Sequence, residues 1–181
     1  MIQMPKSTLS TIYLQGILPS VLYGIVIWGN CAPTLMNSIE KIHTRAARYI
    51  HRVKKSTPNT EIMKLVNWSS IETYYKRSLV CKAYKIYNNL SSPLLKNLIS
   101  KTKSRRETRN LFKVDLPTFK YIDFKRSFSF RAAIAWNNTP NHIREKDSFD
   151  CFKYALRKSD ILDKINFNLT GRALLSADYV Y

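Results

Sequence analysis

Residues 17–29, ILPSVLYGIVIWG, form the most apolar run in the chain. Their reading decides whether the protein crosses a membrane or folds around a helical core. The unbroken apolar part, Ile17 to Trp28, is about 12 residues long, short of the roughly 20 that a bilayer requires. Extending it upstream brings in Gln15, Thr11 and Ser10. A signal peptide would need a basic leading region and a small-residue cleavage site. Only Lys6 precedes the run, and no A-x-A-like site follows it. The stretch therefore reads as the buried start of a soluble domain. It predicts helix over residues 9–28, broken near Gly16 to Pro19, with Pro19 opening a second helix and Gly29-Asn30 ending it.

The rest of the chain must then supply the partner surfaces of a globular core. With 181 residues, 45% hydrophobic and 12% aromatic, it is long enough to bury one. Its charge is the unusual quantity: 30 Lys+Arg against 12 Asp+Glu, a net +18. Such a surplus repels itself and points to an anionic partner. The surplus is concentrated, because residues 41–113 hold 18 basic side chains against Glu61, Glu72 and Glu107. The middle of the chain should therefore meet the partner. Cys31, Cys81 and Cys151 are widely spaced and odd in number, which suggests a reducing, intracellular setting, nuclear or cytoplasmic, and offers no zinc motif.

The region 34–55 carries the clearest pattern. Leu35, Ile39, Ile42, Ala46, Tyr49 and Val53 recur at 4,3,4,3,4 spacing, which predicts one apolar seam along a helix. Lys41, Arg45, Arg48, Arg52 and Lys55 recur at 4,3,4,3, so a basic row should flank that seam. No carboxylate lies between Glu40 and Glu61. Ordinary solvated faces interleave both signs, so a row of one sign fits a phosphate backbone. Further on, Pro58 starts a short helix, and Ser69 with Glu72 forms a capping-box pattern. Residues 70–89 are apolar over a wide arc, through Ile71, Tyr75, Leu79, Val80, Ala83, Ile86 and Tyr87, as a bundle helix with two neighbours requires.

KTKSRRETRN, residues 101–110, has no apolar side chain. It predicts a loop, either a solvated linker or a cationic arm with Arg105, Arg106 and Arg109 as contacts. Residues 111–122 hold Pro117 and alternate weakly, predicting an extended or hairpin segment. Phe128, Ala132, Ala135 and Trp136 predict one face of a further helix ended by Pro140. Ser148 caps another with Phe149, Phe152, Ala155 and Leu156 inward. The expected fold is an all-α helical bundle. Its expected parts are a bundle over 1–100, a basic loop and linker over 101–122, a helical region over 123–158, and a loosely attached tail over 159–181.

Chemistry for catalysis is sparse. His43, His51 and His142 lack metal-ligand or triad spacing, and no GxSxG, Walker A or GxGxxG motif occurs. Asp160 and Asp163 read as a surface pair. A binding module without cofactor or small-molecule substrate is expected.

Several motifs resemble one family in order. Pro19-Ser20-Val21-Leu22-Tyr23-Gly24 with Trp28-Gly29 resembles P-x-L-x-Y-G-x-x-x-W-G, and Ile39-Glu40 with Arg45-Ala46-Ala47-Arg48 resembles I-E-x-x-x-x-R-A-A-R. Trp68, Tyr84-Lys85-Ile86, Pro93 and Leu94-Leu95 follow a W…Y-K-x-x-N-x-L-x-P-x-L run. Arg126-Ser127-Phe128-Ser129-Phe130-Arg131, Trp136-Asn137, Pro140 and Ile143-Arg144 resemble R-S-F-x-Y-R-G-A-x-x-W-N-x-L-P-x-x-I-R. Together they are similar to the thumb and C-terminal region of reverse transcriptases of LINE-type non-LTR retrotransposons near the jockey group. The resemblance spans residues 12–158. It implies a chain that grips RNA or an RNA/DNA duplex, partnered by palm and fingers, with the parent family an RNA-directed DNA polymerase. It also implies that this chain alone is no enzyme and binds no metal, because the F/Y-A-D-D carboxylates belong upstream. Ser176-Ala177-Asp178-Tyr179 only superficially echoes that turn. The family usually has Gly and Leu where Ala132 or Ala133 and Thr139 stand here, and W-L-P-L where Trp68-Ser69-Ser70-Ile71 stands. Two alternatives are a basic membrane-surface protein anchored by residues 17–28, and a retrotransposon relic without function.

Overall fold

The structure is a computed structural model that describes residues 4–102, 112–117, 122–165 and 167. Every regular element among them is a helix, which makes the fold all-α. The chain divides into two compact units, Met1–Tyr75 and Lys76–Tyr181, with the division falling inside one long helix.

In the first unit α1 (Lys6–Thr11) continues through a π-helical turn, Ile12–Ile17, into α2 (Leu18–Leu22). The expected break at Gly16 to Pro19 does not occur. A proline ring cannot accommodate the carbonyl four residues back in an ordinary helix, and the wider π turn lies immediately ahead of Pro19. The break comes at Tyr23-Gly24 instead. Gly24 takes φ 65°, the left-handed region open to glycine, and α3 (Ile25–Trp28) restarts beyond it. Trp28 Nε1 donates back to the Tyr23 carbonyl at 2.8 Å, closing that corner. Gly29 follows with no room for a side chain, since a Cβ there would lie 2.4 Å from both the Ile25 carbonyl oxygen and Tyr75 Cδ2. Leu18 and Ile25 are buried, whereas Ile17, Tyr23 and Ile27 are exposed. Among the described residues no helix is long and apolar enough to cross a membrane.

The long helix α4 (Pro33–His51) packs with α1 and with α5 (Asn59–Val66). Its buried row is His43, Thr44, Ala47 and Ile50. This corrects the expected seam: Leu35, Ile42 and Tyr49 are exposed, at 58%, 64% and 80%. The phase differs because two polar residues occupy the core with their bonding satisfied. Thr44 Oγ1 donates to the Glu40 carbonyl at 2.9 Å, and His43 is held by hydrogen bonds at both ring nitrogens. Ser69 carbonyl only accepts, so His43 Nε2, 3.1 Å away, carries the proton. His43 Nδ1 then accepts from Tyr13 Oη at 2.7 Å. Tyr13 stacks in turn on Trp68 at 5.1 Å between centroids.

The helix α6 (Ile71–Tyr87) starts one residue later than a Ser69 cap requires. Ser70 Oγ accepts from the Thr73 amide at 3.1 Å, and Glu40, arriving from α4, accepts from the Ile71 amide at 2.7 Å. A carboxylate at a helix N-terminus is favoured by both the free N–H groups and the dipole.

The second unit is built on the later turns of α6, where Leu79, Val80, Ala83, Tyr84 and Ile86 are buried as the wide apolar arc predicts. A 3-10 turn, Pro93–Leu98, leads to residues 100–102, which pair antiparallel with 113–115 through a bridge between Lys101 and Val114. The extended segment thus pairs with the start of the basic stretch, whose first two residues are not loop. A second 3-10 turn, Ile122–Arg126, precedes α7 (Phe128–Asn137), α8 (Asn141–Arg144), α9 (Phe149–Lys158) and α10 (Ile161–Lys164). Ser127 caps α7, and Ser148 caps α9 as expected. On α7 five consecutive residues, Ala132 to Trp136, are buried. The helix is enclosed on all sides, so the single inward face expected for it is too narrow. Past Ser159, Leu162 and Ile165 are buried, so the tail begins as packed chain. Residues 168–181, including Asp178, lie outside the described residues.

Candidate nucleic-acid interface

The basic row of α4 does form one surface. Lys41, Arg45, Arg48, Arg52 and Lys55 all line a single open cavity of about 1230 Å³ in the first unit. Lys41, Arg45, Arg52 and Lys55 are exposed, and Arg48 is half-buried. The helical pitch places Lys41, Arg45 and Arg48 on one flank of α4. The acid closest in sequence, Glu40, is turned inward as the cap of α6. Burial raises its carboxyl pKa above the ordinary 4.5, against the lowering effect of the Ile71 hydrogen bond. Glu40 is thus engaged at the start of α6, and α4 carries no other carboxylate.

Arg48 differs from its neighbours. Its guanidinium donates to the carbonyls of Lys54, at 3.2 Å, Lys55 and Thr57, and to Asn59 Oδ1 at 2.9 Å. Those bonds fold residues 54–59 against the end of α4, so Arg48 shapes the wall on which Lys55 stands. Arg52 ends the helix in the left-handed region at φ 55°. Apart from Asn59, which accepts from Arg48, the remaining lining is largely apolar: Leu9, Ile50 and Val53, with Ile50 buried and the other two half-buried, together with exposed Met4 and Tyr49. The sequence pattern hides this apolar part, because Tyr49 and Val53 fall at the spacing of a core-facing seam. Arg105, Arg106 and Arg109 lie outside the described residues.

The other motif residues have structural partners. Pro19 is exposed on α2, Tyr23 and Gly24 make the corner before α3, and Trp28 closes it. Trp68 is half-buried in the aromatic cluster with Tyr13, His43 and His51. In the second unit Trp136 Nε1 and Arg144 both donate to the Phe112 carbonyl, at 2.6 and 3.0 Å. Asn137 brackets Val114, accepting from its amide at 3.0 Å and donating to its carbonyl at 2.9 Å. The W-N…P…I-R run is therefore a clamp on residues 112–114, with Pro140 as N-cap of α8. Arg126 is exposed, Phe128 opens α7, and Arg131 lies over the Phe167 ring at 4.9 Å.

Among the described residues no group of three His, Cys, Asp or Glu side chains could hold a metal ion. No family model, curated protein or solved structure matches this chain.

Proposed function

We propose that this chain binds nucleic acid through backbone phosphates at the basic flank of α4, as a thumb-like module of a LINE-type reverse transcriptase. The observation that supports this reading best is five cations lining one cavity while the adjacent acid, Glu40, is consumed as an internal cap. A phosphate chain offers many weak, evenly spaced charges, and a row of cations meets it without base-specific contact. The family part of the reading rests on the ordered motifs. These now have local roles as a glycine corner, an aromatic cluster and a clamp, all of which serve folding more than chemistry.

A salt titration of affinity for a primer-template duplex tests the binding. Each phosphate contact contributes about 0.9 to the slope of log K against log salt. Replacing Lys41, Arg45 and Arg52 together by Ala should flatten that slope by about two units or more. A flat response in the parent chain, or no change in the triple variant, would sink the proposal. Arg48 is left out of the variant because its loss should disturb the fold of residues 54–59.

A further inference from the structure

The cavity on α4 is not lined by cations alone, and a duplex backbone does not use the rest of it. Leu9, Ile50 and Val53 form the less exposed part of its apolar lining, and Tyr49 lines it with them, 80% exposed. A duplex turns phosphates and sugars outward and keeps its base faces stacked inside, so it offers no base face to those side chains. A small free anion is equally ill-matched. The volume of about 1230 Å³ exceeds the 300–1,000 Å³ common for small-molecule sites, and an inorganic anion would leave the apolar lining wet. A segment of unpaired strand satisfies both halves at once, with phosphates on Lys41, Arg45, Arg52 and Lys55 and a base against Tyr49.

We infer that the α4 cavity is a single-strand site, in which an unpaired base stacks on Tyr49 and covers Ile50 and Val53 while the flanking phosphates lie on the exposed cations. The inference rests on the proposed phosphate binding and adds to it the strandedness of the ligand. Aromatic platforms are tolerant of sequence because every base has a π-face, so no base preference follows from this arrangement. The exposure of Tyr49 also means that its ring can be removed without opening the core.

The test uses the full chain, a labelled mixed-sequence DNA single strand, and the same strand annealed to its complement, at about 150 mM salt. The single strand should bind about fivefold or more tightly than the duplex. Tyr49→Ala should lower single-strand affinity by about fivefold or more and leave duplex affinity within about twofold, whereas Tyr49→Phe keeps the preference. Equal affinity for both strands' forms, with a steep salt slope, overturns the single-strand inference and leaves phosphate binding standing. An unchanged single-strand affinity in Tyr49→Ala does the same. No binding to either form, even at low salt, removes both readings together. Displacement of the bound strand by phosphatidylserine vesicles, but not by neutral ones, overturns the inference in favour of a lipid amphiphile whose headgroup and chain use the two halves of the cavity.

Discussion

At the scale of single residues, two positions in the first unit carry more of the fold than their size suggests. Gly29 is where α3 ends against the Tyr75 ring, and a Cβ would need the space that Tyr75 Cδ2 and the Ile25 carbonyl occupy. Gly29→Ala should therefore cost about 1–3 kcal/mol, as overpacking does, and lower the melting temperature by several degrees. A thermal melt of this variant no different from the parent would show that both the Tyr75 ring and the Ile25 carbonyl give way at little cost. His43 is a neutral core histidine, and burial holds its pKa below 6.5 despite the Ser69 carbonyl. The native state then binds fewer protons than the unfolded chain, so the stability it contributes is complete above about pH 6.5 and is lost as pH falls toward the folded value. His51, also lowered by burial and by Lys6, acts in the same direction. Glu40 acts oppositely, because its raised pKa lets the native state take up a proton early and gain stability as pH falls toward 4.5. Melting temperature should drop between pH 7 and 5.5, and His43→Gln should remove part of that dependence. An identical pH profile in the variant would mean that His43 does not titrate with unfolding.

At the scale of elements, the pairing of 100–102 with 113–115 depends on α7 for its outer partner. Asn137 serves both backbone groups of Val114, a residue only 1% exposed. Asn137→Ala leaves a buried N–H and C=O without partners, at a cost of about 1–3 kcal/mol for each group left unsatisfied. Amide exchange at Val114 and Asp115 should accelerate well beyond that in α7; uniform exchange across the unit would argue against a local clamp. Such a clamp was not legible from periodicity, because W-N-N-T-P reads as the end of a helix and gives no sign of what its side chains reach. Class and most helix positions were legible, since spacing, prolines and the Ser148 cap are local signals. The phase of α4 was not. A hydropathy seam counts His43 and Thr44 as outward, yet a core can hold a histidine whose two nitrogens are satisfied, and that shifts the buried row by one position. The same shift brought Tyr49 to the surface beside the cations. The basic row itself survived, because all five cations were read directly from their spacing.

At the scale of the whole molecule, one cause should move stability and binding in opposite directions. The chain carries +18, most of it from residues 41–113, and with Glu40 turned inward five cations gather around one cavity. Like charges on a folded surface oppose its compact state. Added salt shortens the screening length from about 30 Å at 0.01 M to about 10 Å at 0.1 M, so the repulsion should fade over that range. The melting temperature of the free chain should rise by a few degrees, on the order of 1 kcal/mol. Affinity for nucleic acid should fall over the same range, because the same screening releases the ligand. Calorimetry at two salt concentrations, with and without a saturating strand, separates the effects. The bound chain gains RT ln(1 + [L]/Kd), so the ligand-induced increment should be largest at low salt and shrink as the free chain becomes more stable. A melting temperature that falls with salt in the free chain would mean that attractive pairs outweigh the surplus. The cations of α4 would then be neutralised within the fold, and a phosphate partner would no longer be needed to explain them.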